Sequence, residues 1–217
     1  MINIVKPYKD DMIIPMTVSQ FGNEVNIDVY EEFLDVAKEF EATFKDDYFS
    51  DAALLFLTKK ICPKGYVRYD DLYRYYLVYA MEDISELCDS DIPVQDIYDA
   101  EYVKDETEFE ADVIKENGQP ASVIVKNGAI ASISAANYFI EDDEDEVELA
   151  VETIRRYRGR GYGKAVLCDM VKKVFMMGKY PTYRVSCFNE ASIRTVESCG
   201  FKPVGKEYYI NFYKEEE

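Results

Sequence analysis

A short basic segment, residues 152–164, has residue types and spacings that could bind phosphate. It reads Glu-Thr-Ile-Arg-Arg-Tyr-Arg-Gly-Arg-Gly-Tyr-Gly-Lys, with five cations and no acid from Arg155 to Lys164, in a chain of net charge −18. The glycines at 159, 161 and 163 allow backbone N–H groups to turn toward one point, and a helix that starts behind them adds the positive end of its dipole. A solvated basic turn is the alternative. The strand–glycine–helix order and the reversal of charge favour a phosphate site.

The glycine spacing differs from that of the two common nucleotide-binding loops. A Walker P-loop requires G-x-x-x-x-G-K-[ST], but Gly159 to Gly163 is one residue too short and Ala165 stands where the metal-binding hydroxyl belongs. A Rossmann fingerprint requires G-x-G-x-x-G at the first strand of its unit, whereas these glycines follow G-x-G-x-G late in the chain. The acidity of the chain also argues against an RNA-binding Arg-Gly stretch.

The segment lies between a predicted strand and a predicted helix. Residues 147–153 alternate apolar and polar side chains, so Glu148 and Glu152 share one face of a strand. Apolar residues recur at helical spacing over 166–175. The other elements predicted after residue 118 are a hairpin of 121–126 and 129–139 around Asn127-Gly128, a strand over 183–188, a helix capped by Asn189 and ending at Gly200, and a β-rich stretch over 201–213.

Residues 1–117 are predicted to form an N-terminal, mainly helical region, with helices over 29–44, 51–62 and 69–87. The pattern changes at Gly118-Gln119-Pro120. The sequence therefore predicts two domains, residues 1–117 and residues 118–217.

The basic segment also fits the pattern R-x-x-G-x-G, with Arg158, Gly161 and Gly163. This resembles the acyl-CoA pyrophosphate loop of the GNAT N-acetyltransferase superfamily. The resemblance extends to a downstream pattern that holds Asn189 and Ser192 and ends in Gly200-Phe201. It covers roughly residues 118–210 and implies an α+β or α/β fold: a mixed, splayed β-sheet flanked by helices, with acetyl-CoA as acyl donor between two parting strands and no metal.

The resemblance also implies which residues hold the cofactor. The strand that precedes the loop offers backbone groups near Val151 and Thr153 to the pantetheine. The loop, with the Arg158 side chain, holds the pyrophosphate, and Asn189 and Ser192 lie on the pantetheine side. The loop residues implied are Arg158, Gly159, Arg160, Gly161, Tyr162, Gly163 and Lys164.

Acetyl transfer to an amine requires a group that removes the proton of the amine. A lysine-like amine has a pKa of about 10.4, and with no histidine in the chain the base is a carboxylate, a tyrosinate or water. Glu152 and Glu148 are the carboxylates nearest to the glycine loop in the sequence. The alternative is that both are ordinary surface residues. Many family members carry a tyrosine that protonates the leaving thiolate, and this chain has Val196 at that position. Either another tyrosine takes this role (Tyr208, Tyr209 or Tyr213), or CoA leaves as the thiolate.

Composition excludes several other classes of protein. The absence of histidine excludes a Ser-His-Asp triad, and 43 acids against 25 bases argue against nucleic-acid and anionic-membrane partners. Five cysteines without C-x-x-C spacing fit a reducing compartment, and no residue run predicts a signal peptide or membrane span. A cytoplasmic location is therefore expected.

The sequence predicts an N-acetyltransferase that acts by direct transfer to a primary amine. Acids over 82–116 and 141–146, together with Glu148 and Glu152, favour a cationic small molecule or peptide as acceptor. The alternatives are a non-catalytic acyl-CoA-binding regulatory module and an interaction protein that uses its N-terminal half. The sequence leaves the oligomeric state open.

Overall fold

The computed structural model describes residues 1–7, 11–68, 75–138, 140 and 145–215. The strands are, in chain order, β1 (Ile2–Val5), β2 (Met12–Ile13), β3 (Met16–Phe21), β4 (Glu24–Tyr30), β5 (Tyr66–Arg68), β6 (Tyr76–Ala80), β7 (Gln95–Asp96), β8 (Ala121–Lys126), β9 (Ala129–Ala136), β10 (Glu146–Thr153), β11 (Tyr180–Ser186), β12 (Lys202–Tyr209) and β13 (Phe212–Lys214). The α-helices are α1 (Leu34–Phe44), α2 (Asp51–Lys60), α3 (Ala111–Glu116), α4 (Tyr162–Met176) and α5 (Glu190–Ser198). None of the described helices is long and apolar enough to cross a membrane.

These elements form two compact units. The first unit comprises Met1–Leu77, Ser186–Phe188 and Val204–Glu217, and the second unit comprises Val78–Val185 and Asn189–Pro203. Residues 78–117 thus belong to the same unit as the glycine loop, whereas the sequence-based division at 117/118 assigns them to the N-terminal region. That division into domains stays a prediction.

The first unit contains four neighbouring strands in the order β1-β4-β3-β12, with β1 parallel to β4 and the other pairs antiparallel. Helices α1 and α2 contribute Phe40, Leu54 and Leu57 to the core of this unit. Helix α2 begins where predicted, because the Ser50 hydroxyl accepts a bond from the Ala53 N–H at 3.4 Å.

The prediction that the N-terminal region is mainly helical is wrong. Strands β1, β3 and β4 occupy much of residues 2–30, and β6 lies where a third helix was expected over 69–87. Of that range, residues 69–74 lie outside the described residues. Strands β3 and β4 are rich in the β-branched and aromatic residues that pack well on a pleated surface, and they meet at the tight turn of Gly22, whose φ is +58°. The packing of these short strands against their neighbours outweighs the weak helical periodicity of the N-terminal sequence.

In the second unit the strand order is β6-β11-β10-β9-β8-β7. Strands β7 to β10 pair antiparallel, and β10 pairs parallel with β11, so the sheet is mixed, as the family resemblance implies. The predicted Asn127-Gly128 hairpin joins β8 to β9, with φ angles of 54° and 73° at the two residues. The chain therefore has the mixed α/β architecture expected, with helices flanking the sheet.

Strands β10 and β11 part midway along their length. Their register pairs Glu146–Glu148 with Tyr180–Thr182, and no later residue of β10 pairs with β11 in this fully described stretch. Beyond that point β10 keeps its partner β9 through Thr153. A gap therefore opens between the two strands, directly before the glycine loop.

The two faces of β10 meet different helices. Val151 packs beside Ala165 and Val166 of α4, whereas Ala150 and Glu152 lie on the opposite face together with residues of α3. This follows from the alternation of side chains along a strand. Strand β10 thus separates a face that carries the glycine loop from a face that carries the two glutamates.

Candidate active site

The glycine loop between β10 and α4 has free backbone N–H groups. Gly159 and Gly161 have φ angles of +74° and +77°, a conformation that L side chains rarely adopt. Gly161 is the N-cap of α4, and its carbonyl accepts the N–H of Ala165 at 3.0 Å. Within the part of the chain that the structure describes, no oxygen accepts the N–H groups of residues 159–164. These amides are therefore available to an anion at the positive end of the helix.

A cavity of about 520 Å³, here called the loop cavity, opens in front of these amides. The end of β10, the start of α4 and the start of α5 form its walls. Every predicted cofactor-binding residue except Arg160 lines it. The lining residues are Val151, Glu152, Thr153, Tyr157, Arg158, Gly159, Gly161, Tyr162, Gly163, Lys164, Asn189, Ala191, Ser192, Arg194 and Thr195.

Two of the basic side chains of the segment belong to this cavity. The Arg158 Nε donates to the Thr153 carbonyl at 2.9 Å, which fixes the guanidinium by one nitrogen only. Lys164 lines the cavity from the first turn of α4. Both can supply charge-assisted bonds to a phosphate.

Arg156 and Arg160 of the segment are engaged outside the loop cavity. Arg156 forms an ion pair with Glu106, and its guanidinium lies 4.9 Å from the centroid of the Tyr157 ring. Lys104 and Arg156 hold the pKa of Glu106 below its usual range. The Arg160 guanidinium lies 5.6 Å from the same Tyr157 centroid and lines no part of the cavity. The structure therefore does not bring the Arg160 side chain to the site.

The third glycine of the motif keeps the loop cavity open. A Cβ on Gly163 would lie 3.1 Å from the Thr153 Oγ1 and 3.8 Å from methyl carbons of Val151 and Thr195, all of which line the cavity. Free amides, two cations and a slot with no side chain at residue 163 fit the acyl-CoA that the family resemblance implies.

Asn189 and Ser192 lie on the wall formed by α5. As predicted, the Asn189 side chain caps α5 by accepting the Ser192 N–H at 3.2 Å. The Ser192 hydroxyl is in turn 2.8 Å from the hydroxyl of Tyr183 on β11. Asn189 is thus both a helix cap and a wall of the cavity.

A second cavity, of about 720 Å³, lies on the opposite face of β10 and is here called the acceptor cavity. It shares Val151, Glu152 and Arg158 with the loop cavity. Its other lining residues are mainly apolar and come from α3, β9, the segments beside them and β10: Glu108, Phe109, Val113, Ile114, Gln119, Pro120, Ala135, Ala136, Asn137, Tyr138 and Ala150. The two cavities therefore meet at the end of β10.

The structure places the two predicted carboxylates differently. Glu152 lines both cavities; its Oε2 accepts the Glu108 N–H at 2.8 Å, and its other oxygen has no partner among the described residues. Glu148 lines neither cavity. Its carboxylate accepts bonds from Arg184 at 2.7 Å and from Asn137 at 3.0 Å. Glu152 is therefore the better placed of the two to take a proton.

Several wall residues were not found from the sequence. Glu108 and Phe109 come from a segment far upstream of β10, and the hydrogen bond from the Glu108 N–H to Glu152 joins residues 44 positions apart. Arg194 and Thr195 lie on α5 without a motif of their own. No spacing signal links them, because only the packing of separate elements brings them together.

Comparisons with known proteins agree with this geometry. Residues 115–210 match the family model for GNAT acetyltransferase, and no curated protein sequence matches the chain. A solved protein assigned to the GNAT acetyltransferases, from Novosphingobium aromaticivorans, has a TM-score of 0.53 at 14% identity, over 72% of this chain and 70% of that one. At that identity the likeness shows the fold alone.

Two further solved structures are similar at lower TM-scores. A GCN5-related N-acetyltransferase-like protein from Streptococcus suis has a TM-score of 0.49 at 16% identity, covering 75% of this chain and 68% of that one. A protein from Salmonella typhimurium assigned as an acetyltransferase, solved with acetyl-CoA, has a TM-score of 0.38 at 17% identity, covering 56% of this chain and 83% of that one. Residues 115–210, less than half of the chain, therefore match the GNAT acetyltransferase model, and the mixed sheet with parting strands has a fold similar to that of the Novosphingobium protein.

Proposed function

We propose that this domain transfers the acetyl group of acetyl-CoA directly to the primary amine of a cationic acceptor. The observation that carries the proposal is the meeting of the loop cavity and the acceptor cavity at the end of β10. Val151, Glu152 and Arg158 line both cavities. An acyl donor held by the loop and an amine held on the other face would therefore approach each other beside one carboxylate.

In this proposal the loop binds and orients the donor. The free N–H groups of residues 159–164 and the side chains of Arg158 and Lys164 hold the pyrophosphate. The wall of α5, with Asn189 and Ser192, lies along the remainder of the loop cavity. These contacts position the thioester, which is a large part of catalysis in a reaction between two bound substrates.

Glu152 acts as the base. The Glu108 N–H orients its carboxylate through Oε2, which leaves the other oxygen for the ammonium group of the acceptor. The ammonium group loses one proton to this oxygen, and the neutral nitrogen then attacks the thioester carbon. The C–N bond forms, the C–S bond breaks with its electron pair on sulfur, and the nitrogen releases its second proton to solvent. Glu148, held by Arg184 and Asn137, serves instead to fix the start of the gap between β10 and β11.

Charge and shape of the acceptor cavity support a cationic acceptor with an apolar body. Glu108 and Glu152 supply two negative charges against the one positive charge of Arg158, while apolar side chains of the α3 region supply the remaining wall. Of the acidic stretches expected around the cleft, residues 82–116 contribute through this wall, and residues 141–144 lie outside the described residues. Carboxylates in a cleft concentrate ligands of opposite charge and raise the pKa of a bound amine, which increases the need for a base.

The first test is release of free CoA by the purified chain with acetyl-CoA and a panel of amines, aminoglycosides and lysine peptides. We expect turnover with cationic acceptors, a rate that rises with pH, and an acceptor KM that increases with added salt. Binding of acetyl-CoA without turnover of any acceptor would favour the non-catalytic acyl-CoA-binding module. An anionic best acceptor, or a KM indifferent to salt, would refute the role of the acidic cavity.

The second test separates the two carboxylates. Glu152→Gln keeps the size and the acceptor oxygen of the side chain but removes the base, so kcat should fall by about 100-fold or more. Glu148→Gln is the control on the same strand face, and its kcat should change by less than about tenfold. Equal losses in both variants would contradict the assignment of Glu152.

A further inference from the structure

One wall of the acceptor cavity is an irregular part of the chain, residues 105–110, here called the wall segment. The structure describes all of these residues, and they contain neither helix nor strand. The segment precedes α3 and contributes Glu108 and Phe109 to the cavity. Its Glu108 N–H orients the proposed base by donating to the Glu152 Oε2 at 2.8 Å. Other bonds must therefore hold this N–H in place.

The Asp105 side chain joins the wall segment to α3. Its Oδ1 accepts the backbone N–H of Thr107 at 2.8 Å and the Thr107 hydroxyl at 2.7 Å. Its Oδ2 accepts the N–H of Ala111, the first residue of α3, at 2.9 Å. Ala111 is 1% exposed and packs in a buried cluster with residues of β8 and β9. Three bonds to one carboxylate thus connect the segment to a buried residue.

Adjacent amides of one turn bond to the two carboxylates. The Thr107 N–H donates to Asp105, and the next N–H along the chain, that of Glu108, donates to Glu152. Because each peptide group is planar, only the φ and ψ of Thr107 lie between these two N–H directions. The Thr107 hydroxyl is bonded to the same Asp105 oxygen and further restrains that residue. Asp105 therefore fixes the direction in which the Glu108 N–H points.

The chain just before the wall segment is bonded to the β8–β9 hairpin. The Lys104 carbonyl accepts the Ile130 N–H at 3.1 Å. Glu106 forms ion pairs with Lys104 and Arg156, whose side chains are at least half exposed. Ion pairs with such exposed partners add little to stability. The bonds of Asp105 are therefore the ones expected to decide where the Glu108 N–H lies.

We propose that Asp105 is a positioning residue for the transfer reaction: by holding the Glu108 N–H, it keeps the second oxygen of Glu152 directed at the bound amine. The inference rests on the acetyl transfer, with Glu152 as base, proposed above. Asp105 lines neither cavity, so it acts through Glu152 and not on a substrate. Its loss would let the Glu152 carboxylate rotate, and a displacement of about 1 Å at a reacting group can lower a rate by about 100-fold.

The main test compares Asp105→Ala with Asp83→Ala. Asp83 is a matched control, since its side chain also accepts the N–H two residues along, that of Ser85, at 2.8 Å, and it lines neither cavity. Asp105→Ala should lower kcat by about tenfold or more. The KM for acetyl-CoA should not change, because no residue of the fully described wall segment lines the loop cavity. Asp83→Ala should change neither constant. An unchanged kcat in Asp105→Ala, or an equal loss in Asp83→Ala, refutes the inference.

A double-mutant cycle distinguishes positioning of Glu152 from a general structural effect. In the Glu152→Gln background, Asp105→Ala should lower the remaining kcat by less than about twofold, because the base that it positions is gone. A loss as large as in the wild-type background overturns this inference alone. A wild type without turnover refutes instead the proposed function on which the inference rests.

Asp105→Asn keeps the test available when Asp105→Ala does not fold. The amide has the size of the carboxylate but one accepting oxygen, so either Thr107 or Ala111 loses its acceptor. The kcat should fall by about twofold to tenfold, less than in the alanine variant. A wild-type kcat in Asp105→Asn overturns the inference.

Amide hydrogen exchange tests the geometry without turnover. Exchange of the Glu108 N–H, followed by NMR, should be about tenfold or more faster in Asp105→Ala and in Glu152→Ala than in the wild type. Asp83→Ala should leave this rate unchanged. A Glu108 N–H that exchanges at the wild-type rate in Asp105→Ala means that Asp105 does not hold it, and the inference is then wrong.

Discussion

Gly163→Val is the most direct perturbation of the loop cavity. Unlike Gly159 and Gly161, Gly163 lies within α4 and has no positive φ angle, so a side chain there strains no backbone dihedral. Its Cβ would point at the Thr153 Oγ1, 3.1 Å away, and toward Val151 and Thr195 at 3.8 Å. The valine methyl groups would then extend into the cavity of about 520 Å³ that these residues line.

The expected result is loss of cofactor binding without loss of the fold. Replacing glycine by valine in a helix gains about 0.3 kcal/mol of intrinsic propensity, which partly offsets the crowding at Thr153. Calorimetry should show an acetyl-CoA affinity at least about 100-fold weaker, equivalent to about 2.7 kcal/mol. The thermal midpoint without ligand should remain within a few degrees of that of the wild type.

Gly178→Ala is the matched control at the other end of α4. Gly178 has a φ of +75° and no atom within 4 Å of its added Cβ, so alanine costs about 1–2 kcal/mol of backbone strain but meets no neighbour. This variant should have a lower thermal midpoint than the wild type and the same affinity for acetyl-CoA. A folded Gly163→Val protein with wild-type affinity would refute the placement of acetyl-CoA in this cavity.

Three other predictions concern the loop, the cap and an ion pair. Arg158→Glu should weaken acetyl-CoA binding by about 10- to 100-fold, whereas Arg160→Glu, whose side chain lies outside the cavity, should change it by less than about threefold; equal calorimetric losses would contradict this difference. Asn189→Ser keeps an N-cap side chain, so the thermal midpoint should hold while acetyl-CoA affinity falls by about tenfold; unchanged affinity would mean that Asn189 only caps α5. Asp96 is half-buried, which raises its pKa, but bonds from Lys173 and the Tyr98 N–H outweigh burial and leave its pKa lowered. This stability is present above the unfolded pKa of about 3.9 and is lost as pH falls through the lowered pKa of the folded state. Asp96→Asn should therefore cost about 1 kcal/mol at pH 7, and progressively less at acid pH, in urea titrations, after allowance for solvent screening.

The sequence alone predicts the strand and the helix on the two sides of the glycine loop. Period-two alternation predicted β10, helical periodicity predicted α4, and Asn127-Gly128 predicted the hairpin of β8 and β9. These are local signals, since each depends on a few consecutive side chains or on a turn that needs positive φ angles. The family pattern in the same region is local for a related reason: a phosphate loop is made by consecutive amides.

The sequence did not reveal the strands of the N-terminal part. Strands β1, β3 and β4 are short, and their stability comes from neighbours and from the cover of α1 and α2. Strand propensity depends on such partners more than helix propensity does. A tyrosine-rich run around residues 75–80 was therefore interpreted as a helix although it forms β6.

Sequence patterning also placed Glu148 and Glu152 on one strand face, but it could not rank them. Tertiary structure decides between them. Arg184 and Asn137 donate hydrogen bonds to the Glu148 carboxylate, whereas the Glu108 N–H orients Glu152 at the junction of the two cavities. The same holds for Arg160, which has the spacing of a phosphate ligand but lies over the Tyr157 ring.

The sequence by itself determined the chemistry of the loop: its glycines, its charge and the order of strand, loop and helix that exposes its amides. Only tertiary structure decided which groups surround it. The parting of β10 and β11 puts the Tyr183 hydroxyl beside Ser192, and the packing of α3 brings apolar residues to the opposite face. Backbone conformation is set by near neighbours in the chain, whereas an active site is assembled from residues far apart in sequence, whose positions depend on how whole elements pack.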